Sequence, residues 1–252
     1  TLAGLAETGN AYTVTITDAS VAASALNTLD SKTTISVIAT AVNTITGTAA
    51  EINAVYTSNA AGTIVGLGNE AVTISDTSLS AAVLLTLDAQ TTGMVNAAAV
   101  TTITGTFAEI NAVYDAGANG TILGLGNEAI TITALLTVAQ LNTLAAQTTG
   151  IITAIIIEGN IATLAGLTET GHALLINVTD TSVAASALNT LNAKTTVPIT
   201  VTSTTITGTA ADISAAYAAN TAGTITGLGN EAVTLTDTSI NASALITLDA
   251  FT

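Results

Sequence analysis

The sequence predicts an α/β solenoid: right-handed stacked coils of about 29 residues, each made of one helix and two short strands of parallel sheet. Three observations lead there. The first is internal repetition. "ITGT" begins at Ile45, Ile103 and Ile206, and "GLGNEA" at Gly66, Gly124 and Gly227. The equivalent Leu29 and Leu87 lie 58 apart, and Leu87 and Leu144 lie 57 apart. The second is that each block holds two related halves, each an Ala-rich helical stretch followed by two β stretches around a bend. The third is that such a coil closes. A helix of ~11 residues and a strand of ~5 residues both span about 16 Å, giving three similar sides.

The first helix type is "SVAASALNTLDSKTT" (20–34), with apolar positions Ala22, Ala25, Leu26 and Leu29 at helical spacing. It follows "DAS" or "DTS", residues suited to an N-cap. The second type is "TAAEINAVYTSNAAG" (48–62), with Ala49, Ile52 and Tyr56 on one face. It opens with a capping box, Thr48 with Glu51 and Thr106 with Glu109; the third copy has Asp212 after Thr209, a shorter acid. Strand signals follow each helix, as in "TIVGLGNEAVTIS" and "GMVNAAAVTTITG". Strands stack about 4.8 Å apart while helices need roughly 8–10 Å, so the stack is expected to curve or twist with its helices outside. Two alternatives are a compact domain of alternating βα units and an all-β right-handed β-helix with the Ala-rich stretches extended.

Residues 1–252 read as one continuous solenoid segment. "TLAGLAETGNA" at Thr1 returns as "TLAGLTETGHA" at Thr163, a super-repeat of 162 residues that covers 1–162 and then, incompletely, 163–252. Both copies mark a short coil, at the N-terminus and at 157–172. There Ile157 to Gly166 is 9 residues, where Ile45 to Gly66 is 21, and most of a helix is missing. Neither end carries a polar cap, so the expectation is a piece of a longer array or coils continuing across a subunit boundary.

Composition narrows function. The chain has no Arg, two Lys (Lys32 and Lys194) and a net charge of −15, which leaves nothing to neutralise phosphates or an anionic membrane surface. There is no Cys for disulfides, thiolate metal sites or a thiol nucleophile. The longest apolar run, 151–157, is too short to span a bilayer.

The carboxylates fall into repeat slots: Glu7, Glu70, Glu128, Glu169 and Glu231; Asp18, Asp76, Asp180 and Asp237; Asp30, Asp88 and Asp249. Hard oxygen ligands make Glu70, Asp76, Glu128, Glu231 and Asp237 the candidate Ca2+ ligands. Alternate-coil spacing of about 9–10 Å is too wide for two Glu to share an ion, so solvated corner carboxylates are the expected state. Asp76 is expected to cap the helix that follows it. His172 is the only His and takes the place of Asn10, and no convergent group of unlike residues forms a catalytic set, so a non-catalytic protein without cofactor is expected. Tyr56, Tyr114 and Tyr217 repeat at one helical slot and read as packing residues. Thr-X-Thr steps such as Thr44/Thr46, Thr102/Thr104 and Thr234/Thr236 would stack into rows, which leaves an ice-binding face as an alternative.

"GLGNEAVTISDTSLSAAVLLTLDAQTTG" and "TITGTAAEINAVY" resemble the tandem repeats of very large secreted or surface, adhesin-like proteins of marine bacteria. The resemblance covers almost the whole chain. It implies an extracellular structural or adhesive role and brings no catalytic residues. The expected function is therefore a fibre, filament or cell-surface stalk that self-associates end to end or laterally, with ice binding and Ca2+-dependent adhesion as alternatives.

Overall fold

The helices form where the Ala-rich stretches predict them, and their ends explain why. In the computed structural model, which describes residues 7–251, α1 is Ala23–Asp30, α2 Ala49–Ala61, α3 Ala81–Gln90, α4 Phe107–Asn119 and α5 Val138–Ala145, followed by α6 Ile161–Leu164, α7 Ala185–Asn192, α8 Ala210–Thr221 and α9 Ala242–Asp249. These nine helices among the described residues, together with parallel sheets, make an α/β fold and exclude the all-β alternative. The N-terminal copy of the short coil begins in residues 1–6, outside the described residues.

The capping boxes of α2 and α4 are formed: Thr48 and Thr106 each accept from the third helical N–H while Glu51 and Glu109 accept from the cap N–H. That backbone bond, with the threonine hydroxyl, holds both glutamates below the usual carboxylate range. At α8 the Thr209 hydroxyl donates to Asp212 at 2.7 Å, but the shorter acid makes no return bond to the cap N–H. α5 has a third box, Thr137 with Gln140, in which an amide takes the place of the acid. The first helix type departs from expectation. "DAS" and "DTS" do not cap it; α1 and α7 start after Ala22 and Ala184 with no side-chain cap. The serines instead open strands Ser20–Ala22, Ser78–Ser80 and Ser182–Ala184.

The described chain divides into two units, one ending at Ala129 and the other beginning at Ile130. In the first unit every pairing is parallel, and one sheet runs Ser20–Ala22, Thr44–Gly47, Ala71–Ile74, Val95–Asn96, Ile122–Leu123. Val37–Ile38 pairs with Ile64–Val65, and Ser78–Ser80 with Thr102–Gly105. Ala71–Ile74 has a double role. Toward the preceding repeat it lies on Thr44–Gly47, a strand that leads into a helix. Toward the following repeat it lies under Val95–Asn96, a strand that comes out of one. The chain then adds Ser78–Ser80 before α3, a strand with no counterpart between α1 and α2. α1 packs on α2, α2 on α3 and α3 on α4. Their facing residues Leu26, Ile52, Leu84 and Ile110 are fully buried with Ile45, Val72 and Ile103 of the strands.

In the second unit three parallel ladders recur: Ala129–Leu136 (from Ile130 on) with Ile152–Ile156 and Ala173–Leu175; Asn177–Val178 with Ile199–Val201 and Ile225–Thr226; and Ser182–Ala184 with Thr205–Gly208 and Ala232–Leu235. "ITITALLT" lacks the Asp-Thr bend of the other copies, so its two β stretches fuse into one eight-residue strand with a register shift between Thr131 and Leu135. The short repeat follows, where α6 is a single turn of four residues. α6 packs on α7, α7 on α8 and α8 on α9.

Candidate functional site

The "GLGNEA" corner is the most chemically loaded element, and it turns inward. Its first glycine has left-handed backbone, φ +92° at Gly66, +85° at Gly124 and +94° at Gly227. It also presses on the preceding repeat: a Cβ on Gly66 would lie 2.5 Å from Thr40 Cγ2, and one on Gly124 2.7 Å from the Ala98 backbone. Two constraints at one position leave only glycine. The corner then swings its glutamate under the chain. Glu70 and Glu128 are fully buried and Glu231 is 4% exposed, which corrects the expectation of solvated carboxylates.

Each of these glutamates is held by a tyrosine hydroxyl and by the N–H of the glycine two residues before it. Gly68 N–H donates to both Glu70 oxygens at 2.8 and 3.0 Å, Asn69 N–H donates at 3.3 Å, and the Tyr56 hydroxyl donates at 3.1 Å. Tyr114 donates to Glu128 at 2.9 Å and Tyr217 to Glu231 at 2.8 Å, with Gly126 and Gly229 repeating the backbone bonds. All these partners donate, as an acceptor-only carboxylate requires. Burial pushes the Tyr56 and Tyr217 hydroxyls well above the usual tyrosine range, and the neighbouring glutamate adds to it. The tyrosines thus pack on the helix as expected and also anchor the corner, a pairing across 14 residues that no single motif displays. Glu169 and Glu7 of the same slot are exposed.

Asp76 works in the opposite direction from the one expected. It accepts from Ala49 N–H at 2.7 Å, the first residue of α2, and so caps the helix 27 residues before it. Asp237 does the same for Ala210 of α8 at 2.7 Å, Asp180 for Ile161 of α6 at 2.6 Å, and Glu158 for Val138 of α5. A carboxylate at a helix N-terminus meets orphan N–H groups and the positive end of the dipole. Asp30 accepts from the hydroxyls of Ser58 and Thr63, and Asp88 from Thr121. The candidate Ca2+ ligands Glu70, Glu128 and Glu231 thus face N–H and O–H donors, and Asp76 and Asp237 face helix ends. Among the described residues no three acidic or imidazole side chains gather as a cation site.

His172 is buried, its Nδ1 accepts from Ile152 N–H at 3.2 Å, and its Nε2 has no partner. Burial lowers its pKa below the ordinary value, and the charge of Glu169 opposes this. The threonine rows run two deep at most within each unit, as in Ala22–Thr46–Thr73–Asn96 and Ala184–Thr207–Thr234. No helix among the described residues is long and apolar enough to cross a membrane. The chain matches no known protein family, no curated protein and no solved structure.

Proposed function

We propose that the chain is a non-catalytic segment of an extracellular right-handed α/β solenoid, which acts as a fibre, filament or cell-surface stalk by stacking coil on coil. One internal comparison supports this reading. Residues 227–250 repeat 66–89 with few changes, "GLGNEAVTLTDTSINASALITLDA" against "GLGNEAVTISDTSLSAAVLLTLDA". In the earlier copy α4 and Val95–Asn96 cover this surface, and Val72, Ala81 and Leu84 are fully buried. In the later copy the equivalents of Ala81 and Leu84, Ala242 and Leu245, are exposed, Leu245 at 50%, and Ile246 beside it is 71% exposed. Among the described residues no strand pairs on the outer edge of Ala232–Leu235, and a hollow of about 650 Å3 opens beside it and α9, lined by Val233, Leu235, Leu245 and Ile246. A surface built from the residues that bury a next coil is suited to receive one. A register-matched apolar ladder, Leu135, Ile155 and Leu175, is also exposed and offers a lateral contact.

The test is electron microscopy with sedimentation of the purified chain. Filaments or concentration-dependent oligomers are expected, and Leu245→Asp with Ile246→Asp should disperse them. Monomers at every concentration would refute end-to-end assembly.

A further inference from the structure

The short repeat leaves a groove, and the chain places a cation beside it. Because α6 has a single turn, it cannot cover the face of α7 as a full helix would. A groove of about 280 Å3 remains, lined by Ile161, Leu164, Ala187 and Leu191 together with Ser186 and Lys194. Lys194 donates to the Thr168 carbonyl at 3.1 Å. An ammonium carries three donors, so this bond leaves capacity for a further acceptor.

The slot occupied by Lys194 reads differently wherever the preceding helix is long. It is Gln90 after α2, and the Gln90 amide donates to Asn53 of that helix at 2.7 Å. It is Phe251 after α8, and its ring stacks on Tyr217 with centroids 5.1 Å apart. In those places the side chain is used on the helix in front. Lysine stands only behind a short coil, as Lys194 and, 162 residues earlier, as Lys32. The groove residues Leu164, Ala165, Ser186, Ala187, Thr190 and Leu191 match Leu2, Ala3, Ser24, Ala25, Thr28 and Leu29 in sequence. The only two lysines of a chain with 17 acidic residues thus follow the same sequence context.

We propose that the groove between α6 and α7 binds a small aliphatic carboxylate, its chain on Ile161 and Ala187 above the buried Leu164 and Leu191, and its carboxylate on Lys194. The groove is at the small end of ligand sites, which fits an alkanoate of roughly six to eight carbons. This does not depend on filament assembly.

The full chain is titrated with octanoate and with octanol while the methyl signals of Ile161, Leu164 and Leu191 are followed by NMR. Saturable shifts with octanoate are expected, with affinity falling about tenfold in Lys194→Met, which keeps the stem and removes the charge. Lys194→Gln, the residue of the neighbouring slots, should behave alike, and octanol should bind wild type no better than octanoate binds these variants. Lys32→Met should leave these methyl shifts unchanged. No saturable shift, or equal octanoate affinity in wild type and both Lys194 variants, overturns the site.

Discussion

Tyr56→Phe isolates the lock on the buried corner, because it removes one oxygen and little else. The lost hydroxyl donates to Glu70, which has no exposure to water. A hydrogen bond to a charged group contributes about 1.5–3 kcal/mol, and the stranded acceptor has no water to turn to. For a unit of this size, that corresponds to a melting shift of roughly 5–10 °C. Tyr12→Phe is the control: Tyr12 is 39% exposed, and such surface changes stay within about 0.5 kcal/mol. Thermal and urea unfolding by circular dichroism measure both. Alkaline pH gives a second readout. The folded state holds Tyr56 above its usual value of 10.0, so the unfolded chain loses the proton first. The stabilisation is complete below pH 10 and is lost as pH rises further. Tyr56→Phe should flatten that alkaline loss, and Tyr217, raised in the same way, should leave part of it. Equal stability and equal alkaline slopes for Tyr56→Phe and Tyr12→Phe would refute the argument.

Two further outcomes follow from the same geometry. His172 is held neutral, with a folded pKa below the ordinary 6.5, so stability is present above that pH and is lost as pH falls through the folded value; His172→Asn, the residue of the matching copy, should remove this acid dependence in urea titrations from pH 7 to 4. Gly124→Ala should cost about 2–4 kcal/mol by urea unfolding, since it adds both left-handed strain and a clash with Ala98, whereas Gly120→Ala, at φ +80° with nothing within 4 Å, should cost only about 1 kcal/mol.

Much of the fold was legible because the repeat reports on itself. Thr48 and Glu51 lie three residues apart and signal a helix start wherever they recur, and the 3.6-residue spacing of Ala49, Ile52 and Tyr56 fixed the buried face. What stayed hidden depends on contacts between repeats. "DTS" looks like a cap for the next helix, yet Asp76 reaches back 27 residues to Ala49, and local spacing carries no sign of that direction. Glu70 sits in a polar string, Gly-Asn-Glu, that reads as solvent-facing, and its burial follows from Tyr56 on another element. Ala71–Ile74 was legible as a strand, but its pairing on two different strands was not, because that leaves no mark in one sequence window. The Lys194 groove could have been found from the chain alone, by asking why both lysines follow a truncated repeat.

The backward-reaching acids give the molecule a direction. α2 receives its outer cap from Asp76 and α8 from Asp237, so a helix remains incomplete until the chain has passed through the next repeat. During synthesis the starts of α2, α5, α6 and α8 are closed only when about one further repeat has emerged. A break at the C-terminal side therefore uncaps the helix behind it, while a break at the N-terminal side leaves later caps intact. For these four helices, completion lags one repeat behind the growing chain.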